Sequence, residues 1–423
     1  MTGMHGSSLV TNWAGNYHYR ASKLHRPSTV EQVQEVAASA HSVHVLGSRH
    51  SFNDIADSAE LIRLDALPAD VAVDHTKGTI SFGGGLTYAQ LAEAMKADGV
   101  ALHNLASLPH ISAAGAVMTA THGSGNANGN LATAVAGLEV VTSTGEIVTA
   151  SRGDADFDGL VVGLGAVGAV TRLTLDVEPA YEVRSRVFES LGWEALFEHF
   201  DEISASGYSV SVFTNWGPKV DQVWIKSRVT EAPEAVRDDL FGAIPATVER
   251  HPVLGLDPVN CSPQLGRPGL WSDRLPHFRI GFTPSSGEEI QSEYLVARRH
   301  TLPAIESLRV LGDRMRPVLQ VCEIRTVAAD GLWMSPEFGR ETTGFHFTWR
   351  PEPAAVGKVL VDLEAALSPF EARPHWGKLF LADAAAIAPL YERRPDFIQL
   401  LERLDPRGAF NNSWLKKYVL GDA

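Results

Sequence analysis

Hydrophobic residues near the start of the chain recur at the spacing of one helical face. Val30, Val33 and Val36 lie three residues apart, the spacing of side chains that share one side of an α-helix. Ser28 or Thr29 stands directly before this run, where a hydroxyl can accept a hydrogen bond from the first turn. The pattern therefore predicts a helix that begins near residue 30.

Strand-like and helix-like runs alternate over the rest of the N-terminal part. Short apolar runs at 43–46 and 79–82 predict strands, and Thr87 is the candidate N-cap of a helix behind the second. Runs at 137–142 and 146–149 flank a turn-forming segment and predict a hairpin. Repeated units of this kind are typical of an α/β or α+β domain.

The pattern changes at Glu178-Pro-Ala-Tyr, which we interpret as a domain boundary near residue 179. Beyond it, many alternating apolar runs predict strands, with helices between them. The predicted strands are 208–213, 222–227, 278–282, 318–326 and 343–349, and the predicted helices are 303–311 and 354–367. Residues 240–275 are rich in proline and glycine without a period, so we expect a long surface loop there.

A glycine motif, Gly163-Leu-Gly-Ala-Val-Gly168, matches the G-x-G-x-x-G pattern of nicotinamide-dinucleotide sites. In those sites a helix follows the glycines, and its N-terminus binds the pyrophosphate. Here residues 169–177 alternate with period two and are rich in β-branched side chains, which predicts a strand. We interpret the glycines as a place where a cofactor or a neighbouring chain segment approaches the strand closely.

Length and charge limit the classes of function. The 423 residues suffice for two or three domains, and 44% hydrophobic with 20% charged residues is ordinary for a globular protein. The net charge of −14 argues against nucleic acid or an anionic membrane as a partner, because both require a basic surface.

The cysteines and the N-terminal segment indicate a reducing compartment. Cys261 and Cys322 are too few for a disulfide framework and lack metal-ligand spacing, so we expect no metal site, while a single bridge between them stays open. Residues 1–16 contain no basic segment followed by an apolar run, and no stretch approaches the about 18 apolar residues of a membrane span. We expect a cytoplasmic monomer.

Two predicted strands carry polar residues on one face. Glu323 and Arg325 alternate with apolar neighbours, and His346 and Thr348 do the same in the next strand. Such donors and acceptors can bind a polar ligand, and cations stabilise negative charge that develops on a bound oxygen. The alternative is an antiparallel sheet with one solvated face. Lys378, taken alone, fits an ordinary surface lysine.

The segment 43–53 reads as a buried strand that breaks at Gly47 and then presents Arg49, His50 and Ser51. Backbone N–H groups in such a turn can bind a diphosphate, although the run is neither a P-loop nor a dinucleotide fingerprint. On these residues alone, a strand ending in an exposed histidine is the simpler interpretation. Residues 105–126 are crowded with small and hydroxyl side chains, which fits either close approach to a flat ligand or a plain loop.

Leu46–Phe52 resembles the pyrophosphate loop of the vanillyl-alcohol-oxidase-type flavoproteins, in which the histidine is joined covalently to FAD. Other segments resemble one branch of that family, the alditol (xylitol/sorbitol) oxidases. These segments are Val10–Asn16, Leu105–Ile111, Thr121–Ser124, Glu323–Arg325, His346–Thr348 and Arg373–Lys378. They occur in order along nearly the whole chain, which makes the resemblance more specific than any single motif.

The resemblance implies an α+β fold in three parts. A two-subdomain PCMH-type FAD-binding domain would cover residues 1–179. A substrate-binding domain, with a large antiparallel sheet flanked by helices, would cover residues 180–380. The segment 381–423 would return to the FAD-binding domain.

The resemblance also implies which residues form the site, with FAD attached covalently through His50. The other residues implied to hold FAD are Val45, Leu46, Gly47, Ser48, Arg49, Ser51, Ser107, Ser112, Gly115, Thr119, Ala120, Thr121, His122 and Val170. The residues implied to bind substrate are Ser107, Glu323, Arg325, His346, Thr348 and Lys378. Of these, Glu323, Arg325 and Lys378 would act in catalysis, the two cations by stabilising the alkoxide, and His346 would orient Glu323 or Thr348.

The implied activity is oxidation of the C1 hydroxyl of xylitol or sorbitol to the aldose, with O2 reduced to hydrogen peroxide. A sugar-1,4-lactone (gulonolactone-type) oxidase or dehydrogenase is the alternative on the same fold, since pocket size is not visible in a sequence. A nicotinamide dehydrogenase built on Gly163–Gly168 and a non-catalytic sugar-binding protein are further alternatives. A visible flavin spectrum separates these two from the flavin enzymes.

Overall fold

The N-terminal part forms two small sheets in the computed structural model, which describes residues 11–229, 239–281 and 288–421. A parallel sheet has the strand order β1-β3-β2, and an antiparallel sheet has the order β4-β5-β9-β7-β8. A short pair, β6 with β10, lies outside both. These strands are β1 (Lys23–His25), β2 (Val43–Val45), β3 (Glu60–Ile62), β4 (Ala72–Asp74), β5 (Thr79–Gly83), β6 (Val100–Ala101), β7 (Val135–Val141), β8 (Ile147–Ser151), β9 (Ala169–Asp176) and β10 (Glu178–Pro179).

The helices of this part begin where the sequence places capping residues. Thr29 accepts a hydrogen bond from Gln32 N–H, and Thr87 forms a reciprocal capping box with Gln90, so both predicted N-caps are confirmed. The helices are α1 (Val30–Ser39), α2 (Tyr88–Met95), α3 (Ala113–Met118) and α4 (Phe157–Val161). None of the helices in the described ranges combines the length and the apolar character needed to cross a bilayer.

The second part is a large, mainly antiparallel sheet with helices packed on it. Within the described residues this sheet has nine strands, in the order β14-β11-β13-β12-β17-β18-β16-β19, with β15 beside β11. Its strands are β11 (Glu182–Leu191), β12 (Ser209–Thr214), β13 (Val220–Arg228), β14 (Ile244–Pro245), β15 (Gly269–Leu270), β16 (Ile290–Ala297), β17 (Leu319–Val327), β18 (Thr342–Trp349) and β19 (Arg373–Pro374). Its helices are α5 (Trp193–Ser204), α6 (Trp271–Arg274), α7 (Thr301–Val310), α8 (Gly312–Met315) and α9 (Pro353–Leu367). This architecture confirms the predicted α+β class.

One predicted strand is wrong, and several strands were missed, the longest of which are β11 and β16. Phe278 makes only an isolated bridge to Cys261, the chain turns at 280–281, and Phe282 lies outside the described residues. The strand that enters the sheet here is β16, whose polar start, Gln291-Ser-Glu293, breaks the alternation expected of a strand. β16 is buried on both faces, so it has no polar side to reveal it.

The glycine motif leads into a strand, as its context predicted. Gly168 has φ +128°, and a Cβ there would lie 2.4 Å from the carbonyl oxygen of Val141 on the neighbouring strand. Gly165 has φ +75°, and a Cβ there would lie 2.4 Å from the ring of His44. Because both glycines allow a close approach and β9 begins at Ala169, no dinucleotide-binding helix forms.

The C-terminal segment packs against the N-terminal part. Its helices are α10 (Ala384–Ile387), α11 (Arg394–Leu404) and α12 (Ser413–Leu415). Val43 donates its backbone N–H to Ala409, and the Asn412 side chain donates to the carbonyls of Ile55 and Asp57. These contacts agree with a segment that returns to the first domain, while the boundaries at 179 and 380 stay predictions.

A buried pair of carboxylates joins the two large parts of the molecule. The side-chain amide of Asn130 lies 2.7 Å from Asp330 Oδ2 and 3.0 Å from Glu337 Oε2, and the Ser335 hydroxyl contacts both oxygens. Glu337 Oε1 has no hydrogen-bond partner. Burial raises the pKa of both acids, and the charge of Glu337 raises that of Asp330 further.

Glu337→Gln is expected to make the protein more stable towards alkaline pH than the wild type. A raised native pKa stabilises the fold at low pH, and this contribution is lost as the pH rises from about 4 into the neutral range. Glutamine keeps the oxygen that faces Asn130 and removes the second charge. The melting temperature of the variant relative to wild type should rise by a few degrees between about pH 5 and pH 8. The exposed Glu341→Gln, with the same change in net charge, should show no such trend; a parallel trend in both variants would contradict the prediction.

Candidate active site

One cavity of about 690 Å³ runs from the N-terminal sheets to the centre of the large sheet. On the N-terminal side it is lined by the segments 44–52, 84–87 and 164–165, together with residues 106–122 in part. On the other side it is lined by Gln291, Glu293, Arg325, His346, His375, Gly377 and Lys378. A cavity of this size, with apolar walls and a few convergent polar groups, is typical of a ligand site.

The loop after β2 is shaped by its contact with the start of α3. Ser112 donates its backbone N–H to Ser48 Oγ at 2.9 Å. A Cβ at position 47 would lie 2.3 Å from Ser112 Oγ, so only glycine fits there without a shift. Arg49 has φ +65°, in the left-handed region. The loop is thus a fixed turn.

His50 lies in this loop, and one of its two ring nitrogens makes no hydrogen bond. Its ring stacks on Trp13 at a centroid distance of 5.0 Å, and its Nδ1 is buried without a hydrogen-bond partner. Burial lowers the pKa of His50 to about 4, so the imidazole is neutral near pH 7. A neutral, pre-oriented imidazole nitrogen is a competent nucleophile.

All but one of the residues predicted to hold the cofactor line the cavity. They are Val45, Leu46, Gly47, Ser48, Arg49, His50, Ser51, Ser107, Ser112, Gly115, Thr119, Thr121, His122 and Val170. Ala120 does not line it: this residue is fully buried in the hydrophobic core with φ +51°. The turn that ends α3 carries Ala120 into the core and leaves its neighbours, Thr119 and Thr121, at the cavity.

The polar groups on the large sheet come from three adjacent strands. Glu323 on β17, His346 on β18 and Glu293 on β16 form one cross-strand row, because Glu323 pairs with His346 and His346 pairs with Glu293. Arg325 lies two residues beyond Glu323 on the same face, and its partner on β18 is Gly344. Cross-strand partners point to the same side of a sheet, so the register brings these groups together.

Arg325 and Lys378 share one buried carboxylate. Arg325 donates to Glu293 Oε1 at 2.6 Å, and Lys378 Nζ donates to Oε2 at 2.6 Å. His122 Nε2 lies 3.2 Å from Oε1. Burial alone would raise the pKa of Glu293, but Lys378 and Arg325 hold it well below its usual value. The two cations predicted to act together therefore lie side by side.

Two of the residues predicted to bind substrate do not line the cavity. Ser107, Arg325, His346 and Lys378 line it, whereas Glu323 and Thr348 do not. Glu323 accepts a hydrogen bond from His277 Nε2 at 2.8 Å and has its other oxygen 3.6 Å from Arg325 Nε. Its carboxylate is therefore engaged within the protein.

A buried lysine stands behind this carboxylate. Lys226 Nζ lies 3.0 Å from His277 Nδ1 and donates to the carbonyl of Leu275. Burial lowers the pKa of Lys226 to about 7 and that of His277 to about 4. Lys226, His277 and Glu323 form a hydrogen-bonded chain, and the second oxygen of Glu323 lies 3.6 Å from Arg325 Nε.

His346 presents an unengaged ring nitrogen at the cavity. Its Nδ1 lies 3.5 Å from Arg325 Nη2 and 3.6 Å from Glu323 Oε2, and its Nε2 is buried without a partner. Burial, reinforced by the charge of Lys378, lowers the pKa of His346 to about 4. The ring is therefore neutral near pH 7 and can accept a hydrogen bond from a ligand.

Sequence reasoning missed Glu293, His277, Lys226 and His375. A signal existed for Glu293, since a single carboxylate followed by the apolar run 294–297 is unusual in a buried strand. His375 lies inside the segment 373–378 but carries no local sign of its place beside the cavity. Lys226 and His277 belong to elements whose contact with β17 depends on the order of the strands.

The His50 loop and the Lys378 segment are bonded directly to each other. Phe52 donates its backbone N–H to Gly377 at 2.7 Å, and the side-chain amide of Asn53 donates to the carbonyls of Trp376 and Lys378 at 2.8 Å each. These hydrogen bonds fix the position of Lys378 relative to His50. Residues from distant parts of the chain that act on one substrate must be held in a fixed arrangement.

Comparison with known proteins agrees with this geometry. Residues 21–151 match the family model of FAD-binding domains, and residues 287–418 match that of D-arabinono-1,4-lactone oxidase. The chain is 25% identical, over 98% of its length and the whole of the relative, to an L-gulono-1,4-lactone dehydrogenase of Mycobacterium tuberculosis. The fold is that of a cholesterol oxidase from B. sterolicum, with a TM-score of 0.78 at 14% identity over 97% of this chain and 96% of the other.

The similarity is greater to an alditol oxidase of a Streptomyces species. The two sequences are 49% identical over 421 residues, which cover 98% of this chain and the whole of the relative. The matched region, at 98% of the chain, spans the loop, the strands and the cavity described above. The chain belongs to the alditol oxidase family, within the vanillyl-alcohol-oxidase-type FAD flavoproteins.

Proposed function

We propose that this protein is an FAD-dependent alditol oxidase that converts the C1 hydroxyl of polyols such as xylitol and sorbitol to the aldose. The observation that carries the proposal is the position of Arg325 and Lys378 on the same cavity as the His50 loop. FAD, when bound, would supply at N5 the acceptor for the hydride of the substrate carbon, and its reoxidation by O2 would yield hydrogen peroxide.

The residues on the N-terminal side of the cavity fit FAD. Gly47 leaves room for backbone amides to approach a diphosphate, and the segment 106–119 offers small side chains for a flat ring. The buried, unpartnered Nδ1 of His50 supports a covalent bond from this atom to the flavin. We therefore propose that FAD is attached through His50.

The residues on the sheet side fit the polyol and its reacting hydroxyl. Arg325 and Lys378 place positive charge where the alkoxide develops, and this charge stabilises the transition state more than the neutral alcohol. With its ring proton on Nδ1, facing Glu323, neutral His346 can accept the hydrogen bond of the reacting hydroxyl at Nε2 and take up its proton as the oxygen becomes negative. Ser107, at the edge of the cavity, supplies a hydroxyl for a further polyol oxygen.

Xylitol or sorbitol is expected to drive oxygen consumption, with one hydrogen peroxide formed for each oxygen consumed. An oxygen electrode combined with a peroxidase-coupled assay measures both quantities on the yellow holoenzyme. Identification of the aldose by chromatography checks that C1 is the site of oxidation. A flavin-loaded preparation that consumes no oxygen with any alditol would contradict the proposal.

A sugar-1,4-lactone oxidase is the second candidate, favoured by the match of residues 287–418 to the D-arabinono-1,4-lactone oxidase family. A lactone ring is more compact than an extended polyol, so the two classes of substrate would fill this cavity with different shapes. Steady-state kinetics with L-gulono-1,4-lactone and xylitol in parallel rank them. A larger kcat/KM for the lactone would reverse our order of preference.

We further propose that the enzyme acts as a cytoplasmic monomer on small molecules, without nucleic acid or membrane as a partner. Both cysteines are buried free thiols, which supports a reducing compartment. The net charge of −14 supports the absence of polyanionic partners.

A further inference from the structure

Glu293 is the shared partner of the two cations at the cavity, and the mechanism above gives it no role. Its side chain is 1% exposed, compared with 5% for Arg325 and 12% for Lys378. Each oxygen accepts one 2.6 Å charge-assisted hydrogen bond, one from each cation. A bridging carboxylate of this kind fixes both donors at once.

The fold leaves space for Arg325 to reach Glu293 across the strand that lies between them. Arg325 is on β17 and Glu293 is on β16, and β18 lies between them. At the crossing point β18 carries Gly344, where a Cβ would lie 3.3 Å from Glu293 Oε1 and 3.5 Å from His122 Cε1. The absence of a side chain at Gly344 therefore lets the guanidinium reach the carboxylate across an intervening strand.

Electrostatics links Glu293 to the protonation state of Lys378. Two cations held beside one cavity repel each other, and burial lowers the pKa of Lys378, while the negative charge of Glu293 raises it. The other charged or titratable groups that act on Lys378 or respond to it are Arg325, Glu323, Glu289, His346 and His375. Glu323 is bonded to His277 and cannot take the place of Glu293.

We propose that Glu293 is a positioning residue, which holds Arg325 and Lys378 in place at the reacting oxygen and keeps Lys378 protonated. This inference rests on the proposed alditol oxidation. Glu293 acts through the two cations, so its loss affects the transition state more than the binding of the neutral polyol.

Glu293→Gln tests the role of the charge at nearly constant volume. The kcat for xylitol is expected to fall about a hundredfold, with KM changed by less than about fivefold. The alkaline limb of the kcat/KM profile should move to lower pH by about one unit, because a lysine without its carboxylate loses its proton more easily. Glu293→Asp keeps the charge and should retain the wild-type alkaline limb although its kcat is reduced.

Glu364→Gln is the matched control, since Glu364 is a half-buried glutamate that accepts from Tyr294, the neighbour of Glu293 on β16. It should leave the pH profile unchanged, and all three variants should contain wild-type amounts of attached flavin. A Glu293→Gln enzyme with the wild-type rate and alkaline limb would overturn the inference, as would an equal shift in the control. If wild-type enzyme oxidises lactones but no alditols, the proposed substrate fails, and the same variants measured on the lactone still decide the role of Glu293.

Discussion

Arg325→Met is expected to lower kcat/KM for xylitol by about a thousandfold. The substitution removes a cation beside the developing alkoxide, and it leaves Glu293 and Glu323 buried with one fewer counter-charge. If Glu293 or Glu323 takes up a proton because this counter-charge is missing, the position of Lys378 is disturbed as well. Steady-state kinetics near neutral pH, with active-enzyme concentration taken from flavin absorbance, measure the effect.

Two further variants separate chemistry from folding. Lys378→Met removes the other cation but leaves Glu293 paired with Arg325, and kcat/KM should fall about a hundredfold. Arg298→Met removes an arginine that follows β16 and pairs with Asp201, away from the cavity, and should retain wild-type kinetics. The assignment fails if Arg325→Met, with full flavin content and a wild-type melting temperature, keeps more than about a tenth of the activity.

His50→Ala is expected to abolish covalent attachment of the flavin completely. The wild-type protein should remain yellow after acid precipitation, because a bond to the imidazole survives unfolding. The variant should release all of its flavin to the supernatant, since the substitution removes the buried, unpartnered Nδ1 beside Trp13. Fluorescence of the denatured protein band on a gel gives a second measurement that does not depend on activity.

His122→Ala is the informative comparison, because His122 also lines the cavity and is among the residues implied to hold the flavin. Its Nε2 faces Glu293 and not open space, so the variant should keep its flavin attached although its activity changes. Release of flavin by His122→Ala, with retention by His50→Ala, would move the attachment point. Release of all flavin by the wild type would show that the cofactor is not covalent.

The local structure around the site could be predicted from short stretches of sequence. Thr29 and Thr87 cap helices because a hydroxyl before an apolar run meets the free N–H groups of the first turn. The strand after Gly168 follows from period-two alternation, and the same period puts Glu323 and Arg325 on one face. These features depend on neighbours only a few residues away.

The family resemblance identified candidate site residues that local sequence patterns cannot identify. Alone, His50 reads as an exposed histidine and Lys378 as a surface lysine. The structure buries the first beside Trp13 and pairs the second with a buried carboxylate. It also departs from the expectation at Ala120, Glu323 and Thr348, which do not line the cavity.

The sequence by itself determined the starts of α1 and α2 and the faces of individual strands, because each depends on contacts within one segment, whereas its patterns left α/β and α+β both open. Only the tertiary structure decided that Glu293 lies between Arg325 and Lys378, residues that are 32 and 85 positions away from it along the chain. That meeting requires β16 to lie two strands from β17, in a register that puts Gly344 between them. Strand order and register are set by long-range pairing, and the period of a single strand carries no information about its neighbours.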